Sequence, residues 1–230
     1  VQAKEWPKGK DFSSSNIRHS SICYAPDWMY MAQTSMHTDP RTGEILNASV
    51  YIHHNFLSLL YSGRCTQTMA SDPSARTLAL SEKQIGELLK VGITQQVGRC
   101  LGLTDNMGAS YHYPVDSLRS AKFTRRHGLT PSVMDNLMCN YIALPEDVKK
   151  GTVLVQSGIG LYDYFPIRYL YAPMAADNPE EEVSTLNKWV EDAYVAHEYY
   201  YRPKQEFYAL YDPTALYWDL GDDPFKAADY

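Results

Sequence analysis

The sequence predicts an α/β chain of the α+β kind, and three observations carry that prediction. β-branched segments of strand length lie in the first quarter of the chain, the longest at 45–53. A long helical pattern with a capping signature follows at 82–101. A second long helical pattern, 178–200, dominates the C-terminal half. With 230 residues the chain can bury a full core, and with no internal repeat or composition break it reads as a single domain, 1–230.

Residues 1–16 carry Pro7, Gly9 and a Ser run, the makings of an irregular arm. A first strand is expected from Ile17 to Tyr24, and residues 25–44, with Pro26, Asp39-Pro40 and Gly43, read as a long connection. Ile45 to His53 is the next strand, with Val50 and Ile52 β-branched. His53 and His54 are adjacent and so point to opposite faces of a strand. That is poor geometry for a shared metal and suits a solvated strand-end pair. A short helix is expected over Asn55–Tyr61, and Ser71-Asp72-Pro73-Ser74 marks a loop.

Ser81 opens the first long helix, because Ser81 and Gln84 have capping-box spacing. The helix should run to Leu101 and stop at Gly102, which can take the left-handed conformation beyond a helix end. Leu89, Ile93, Val97 and Cys100 or Leu101 repeat at three and four and form a core-facing stripe, so Gln95 and Arg99, one turn apart, project from roughly the opposite side. Residues 103–131 look loop-rich, with Pro114, Gly128 and Pro131; a short helix is expected over Asn136–Ile142, and an aromatic segment spans 161–171. Asn178-Pro179-Glu180-Glu181-Glu182 is a helix start with acids at the positive end of the macrodipole. That helix should run to about Tyr200, and the tail 208–230, with Pro213 and Pro224, should lie extended over the domain.

Composition removes several function classes. The net charge of −6 and the absence of a basic stripe leave nothing to attract nucleic acid. No apolar run approaches the roughly 20 residues of a membrane-spanning helix. The chain begins with Val and shows no signal peptide, so it is expected to be a processed or excised piece of a longer precursor. Cys23, Cys65, Cys100 and Cys139 are far apart and make no Cys-x-x-Cys pair, which argues against a zinc knuckle or redox motif. Two disulfides in any of three pairings remain open, with free buried thiols preferred because Cys100 sits inside a predicted helix. The 19 tyrosines, concentrated after Tyr162, suit either a binding surface or an aromatic core and rim; the second is preferred. No Gly-x-Ser-x-Gly elbow and no phosphate-binding Walker loop is present. Asp222-Asp223 stands in a turn context and reads as caps or solvated groups rather than a catalytic carboxylate pair.

The most informative stretch is Gln95-Gln96-Val97-Gly98-Arg99-Cys100-Leu101-Gly102-Leu103-Thr104-Asp105. It has the frame of the zinc signature His-Glu-x-x-His-x-x-Gly-x-x-His, with the Gly at Gly102 and every chemical position changed. Other segments keep the same company in order: Asp39-Pro40-Arg41-Thr42-Gly43-Glu44-Ile45, Tyr113-Pro114-Val115-Asp116-Ser117-Leu118-Arg119-Ser120, Pro131-Ser132-Val133-Met134-Asp135-Asn136, Gly160-Leu161-Tyr162-Asp163-Tyr164 and Asp219-Leu220-Gly221-Asp222-Asp223-Pro224-Phe225-Lys226-Ala227. From about residue 39 onward the chain resembles a family of large secreted zinc-dependent metallopeptidases of Bacteroides-type bacteria, metzincins in fold. The resemblance implies a twisted mixed sheet beside a cleft, an active-site helix along its floor, a helical lower half and export to the cell envelope or beyond. It places the three metal-ligand positions at Gln95, Arg99 and Asp105, the general base at Gln96, the Met-turn at Met134 and a transition-state Tyr at Asn136.

The residues at those positions cannot perform the family's chemistry. The zinc site needs three neutral imidazoles and a carboxylate that takes a proton from metal-bound water. Gln95 offers only a weak amide oxygen, and an amide at Gln96 is no base near pH 7. Arg99 is worse than a missing ligand: a guanidinium about 4 Å from a divalent ion is repelled by roughly 8 kcal/mol at an effective dielectric of about 20. That offsets most of the ~10–16 kcal/mol of a structural zinc site. His112 with Asp105 is the one alternative ligand set. The sequence thus leads to an inactive, zinc-free relative with no catalytic residues, whose role is to bind an extended peptide or an envelope protein, or to serve as a structural module. A peptidase with a rebuilt metal site is the alternative. The resemblance implies two further expectations: that Ile45–His53 is the edge strand offered to a peptide, and that Arg99 and Asp105 pair with Gln95 hydrogen-bonded alongside.

Overall fold

A strand buried on both sides must find partners on both sides, and Ile45–His53 does. The computed structural model describes residues 2–9, 12–77, 79–156, 158–205 and 211–230. Among them one mixed sheet forms, in the order β1-β3-β2. β3 (Ile45–His53) pairs in parallel with β1 (Ile22–Ala25), Ile22 opposite Val50, and antiparallel with β2 (Ala32–Thr38), Thr34 opposite Val50. Val50 and Ile52 sink into the core, and Asn47, Ser49 and His53 are buried as well. β3 is therefore central, which corrects the expectation that it is the edge: the edges are β1 and β2.

β2 lies inside the segment expected to be a long connection. Its residues Ala-Gln-Thr-Ser-Met-His-Thr carry no apolar alternation because much of the strand is exposed. The hairpin to β3 is closed by the Asp39–Glu44 turn, where Gly43 N donates to Asp39 O (2.8 Å), Asp39 N donates to Glu44 O (2.8 Å) and Gly43 takes φ +74°. The first strand is also shorter than the expected 17–24. The described residues of the 1–16 arm hold no helix or strand.

α1 (Phe56–Thr68) is longer than the short helix expected over Asn55–Tyr61. α2 (Glu82–Cys100) starts where the capping box puts it: Gln84 N donates to Ser81 Oγ (3.3 Å) and Ser81 N donates to Gln84 Oε1 (3.0 Å). Val50, Ile52, Phe56, Leu60, Leu88 and Cys139 form the core between sheet, α1 and α2, with Leu89, Ile93 and Cys100 partly buried against it. The lower half has its own core, in which Val115, Leu118, Leu129, Ile142 and Leu220 are nearly or fully inaccessible.

The expected helix at Asn136–Ile142 does not form. Its backbone donors go elsewhere: Cys139 N to Gln67 Oε1 (2.8 Å) and Asn140 N to Leu154 O (2.9 Å). Helices appear instead at α3 (Ala121–His127), inside the expected loop, and α4 (Pro145–Lys150). The aromatic segment contains α5 (Tyr164–Tyr171). α6 (Pro179–Val195) begins on the predicted Asn178 cap but stops short of Tyr200, and His197 just beyond it takes φ +56°. The tail is not simply extended: Asp223 caps a short helix, α7 (Pro224–Ala228), while Leu220 and Ala227 belong to the lower core. Residues 208–210 of that tail lie outside the described residues.

Candidate functional site

The turn after α2 is the pivot of the site. Leu101 N–H caps back onto the helix, Gly102 takes φ +86°, and Leu103 N donates to Gly98 O (3.1 Å). This reversal brings Asp105 back to the helix. Arg99 Nη2 donates to Asp105 Oδ1 at 2.5 Å, the expected ion pair. Its side chains are 35% and 19% exposed, so solvent screens it and its net contribution is about 0–1 kcal/mol. Gln95 is not alongside: its Nε2 donates to Asp135 O at 3.3 Å. Gln95, Asp135 and Asn136 instead line a cavity of about 150 Å³, together with Arg64 and Trp218.

Gln96 faces the other way. It is 3% exposed, and the Thr34 hydroxyl of β2 donates to its Oε1 (3.0 Å) and backbone O (3.1 Å). Of the sequence-predicted positions, the structure thus joins Arg99 with Asp105 and Gln95 with Asn136, while Gln96 is committed to the sheet. His112 stacks on Tyr200 with ring centroids 3.9 Å apart. Asp222 and Asp223 are caps, accepting from Val115 N (3.0 Å) and from Phe225 N (3.1 Å).

Met134 lies beneath the helix. It is 2% exposed and its Sδ fills the space beside Gly98, while its carbonyl accepts from Asn106 N (3.0 Å). Two buried carboxylates hold this turn. Asp163 accepts from Ser132 Oγ (2.7 Å), Val133 N (2.9 Å) and Gly160 N (2.7 Å). Asp135 Oδ2 accepts from Ser110 N (2.7 Å) and Thr130 Oγ1 (2.9 Å). Burial, reinforced by the charge of Asp219, pushes the Asp135 carboxyl up to about 8, and burial pushes Asp219 to about 6. Ser110 links the two, since its Oγ donates to Asp219 Oδ1 (3.3 Å). Sequence reasoning does not find Asp135 and Asp163 as buried carboxylates with the half-buried Asp219 beside Asp135, although each stands in one of the quoted motif segments; nothing in the local sequence says how deeply they lie.

His53 corrects a second expectation. It is 6% exposed rather than solvated, and its Nδ1 lies 2.8 Å from Asp27 Oδ2; His54 Nδ1 lies 2.6 Å from the Tyr24 hydroxyl. The four cysteines are free thiols, but only Cys139 is buried.

Among the described residues no group of three or more His, Cys, Asp or Glu is placed to hold a metal. The donor set near Gly102, an amide, a guanidinium and one carboxylate already bonded to that guanidinium, does not fit zinc. Residues 77–230 match a protein family described as Met-zincin. That span contains α2, the Gly102 turn and the Met134 turn, and leaves the sheet outside it. No curated protein and no solved structure matches the chain.

Proposed function

The chain belongs to the Met-zincin family, and from that premise we propose that it is a pseudopeptidase. On this reading a metallopeptidase-like domain has given up hydrolysis, works without zinc and binds an extended peptide or a protein partner, in the cell envelope or outside the cell. One observation carries the reading: Arg99 and Asp105, at two positions where the family's signature places metal ligands, are bonded to each other at 2.5 Å. A permanent cation at that place repels a divalent metal, and the carboxylate that would attract one is already neutralised. Gln96 supports the same conclusion, because its amide is not a base and its oxygen is occupied by Thr34.

The free side of β2 is the surface suited to an extended partner. β2 is an edge strand, lies against α2 through Thr34 and keeps Gln33, Met36, His37 and Thr38 exposed. Main-chain hydrogen bonds to such an edge need no metal.

Elemental analysis of protein never exposed to chelator tests the first half. Far less than one zinc per chain is expected, with no peptide turnover above that of a Gln96→Ala variant. One zinc per chain that survives Arg99→Ala would overturn it in favour of a rebuilt metal site. For the second half, titration with an extended-peptide library should shift the backbone amide resonances of residues 32–38; shifts confined to other segments would reject strand addition at β2.

A further inference from the structure

The tyrosines that crowd the C-terminal half surround a second cavity, of about 310 Å³, beside the Gly102 turn. Gln95, Arg99 and Asp105 are not among its walls, and its chemistry is independent of the pseudopeptidase reading. Tyr162, Phe165, Tyr169, Tyr199 and Tyr201 give it aromatic walls, and among the described residues no Asp, Glu, Lys, Arg or His lines it. Tyr199 meets two of its neighbours edge to face, Tyr162 at 6.0 Å and 82° and Phe165 at 5.6 Å and 89°. That is the arrangement in which aromatic rings attract one another, and it leaves faces and edges for a further ring.

One lining residue, Asn106, holds a buried polar group that is unsatisfied. Asn106 is 1% exposed, its N–H donates to Met134 O (3.0 Å), and its Oδ1 accepts from Arg202 N (3.0 Å). The bond from Arg202 fixes which way the amide points, and the Nδ2 then has no acceptor among the described residues. Two other polar side chains of the lining have partners: Thr104 Oγ1 is 3.1 Å from the Tyr201 hydroxyl, and Ser132 Oγ donates to Asp163 Oδ1 (2.7 Å). A buried amide donor left unpaired is penalised, and a ligand oxygen at that point removes the penalty.

We propose that this cavity binds an uncharged aromatic group carrying an acceptor oxygen, a carbonyl or a hydroxyl, which accepts a hydrogen bond from Asn106 Nδ2. The volume sets the size: a cavity of about 150 Å³ with apolar walls accommodates benzene, so this one takes a substituted ring. The lining sets the charge, because an ion entering it would shed its water and meet no counter-ion. The same chemistry is offered by a free aryl amide or phenol and by a tyrosine side chain on another chain.

The test uses the full chain and four probes, benzamide, toluene, sodium benzoate and an acetylated, amidated Gly-Tyr-Gly peptide, followed by NMR shifts of the backbone amides of residues 102–106 and, where Asn106 is present, of its side-chain amide. Benzamide should bind about 3- to 10-fold more tightly than toluene, the worth of one neutral hydrogen bond, and benzoate should bind more weakly than benzamide. Asn106→Leu should erase the preference for benzamide over toluene. Leu170→Trp, at a lining position that is 49% exposed, should block both without threatening the core. Tighter binding of the peptide than of benzamide would identify the source as a residue of another chain; the reverse order would identify a free molecule. Equal affinity for benzamide and toluene, binding unaffected by Leu170→Trp, or no binding of any probe would overturn the proposal.

Discussion

Met134 Sδ lies 2.5 Å from where a Cβ on Gly98 would stand, so the helix and the turn beneath it approach as closely as a glycine allows. Met134 is 2% exposed and is held beneath the helix, so its thioether can yield only toward the cavity beside the Gly102 turn, which it lines. Gly98→Ala should therefore destabilise the protein by about 1–3 kcal/mol, the range for overpacking a core. Gly86, in the same helix, has nothing within 4 Å of its would-be Cβ, and Gly86→Ala should stabilise by about 0.4–1 kcal/mol. Urea denaturation of the two variants should show midpoints moving in opposite directions.

The Arg99–Asp105 pair is partly exposed, and that limits what it can contribute. A double-mutant cycle with Arg99→Ala and Asp105→Asn should give a coupling of about 0–1 kcal/mol at low salt, smaller still at about 1 M salt. A coupling of several kcal/mol that ignores salt would mean that the pair is sealed from water and behaves as a structural cross-link.

Restoring the carboxylate alone should harm the protein. Gln96→Glu would bury an acid beside Thr34, where desolvation raises its pKa. A raised folded pKa means that stability is intact at acid pH and falls as pH rises above the unfolded value of about 4.3. Thermal melts of Gln96→Glu should thus approach wild type near pH 4 and fall away by pH 8, and the variant should gain no peptidase activity.

The native chain should carry a trend of the same sign. Asp135 titrates at about 8 and Asp219 at about 6 when folded, both above the ordinary aspartate value of 3.8. Between those limits the folded state holds protons that the unfolded state has lost, so these groups make stability decline from about pH 4 toward pH 8. Asp135→Asn keeps an oxygen for Ser110 N and Thr130 Oγ1 and removes the titration, so it should flatten the slope of melting temperature against pH between about 6 and 8. An unchanged slope would show that Asp135 is ionised in the folded protein.

The sequence by itself determined the parts whose causes are local. Ser81 and Gln84 started α2, Gly102 ended it, Asn178 started α6 and the apolar run of 45–53 made β3, because caps, left-handed glycines and β-branched runs act within a few residues. The residues at the signature positions, Gln95, Gln96, Arg99 and Asp105, were equally legible, since they are read directly from the chain. Even the Arg99–Asp105 pairing came from a known turn between two charges.

Tertiary structure decided the rest. β2 has no apolar pattern of its own and exists because β3 supplies its hydrogen-bond partners, so β3 became central and β2 the edge. The 136–142 segment failed as a helix because its donors were claimed by Gln67 and Leu154, both outside the segment. Gln96 faces Thr34 of β2 rather than joining Gln95 and Asn136 at their cavity. The acidity of Asp135 and the unmet Asn106 donor depend on which groups lie near them in space, and burial is a property of the packed molecule that spacing along a chain does not encode.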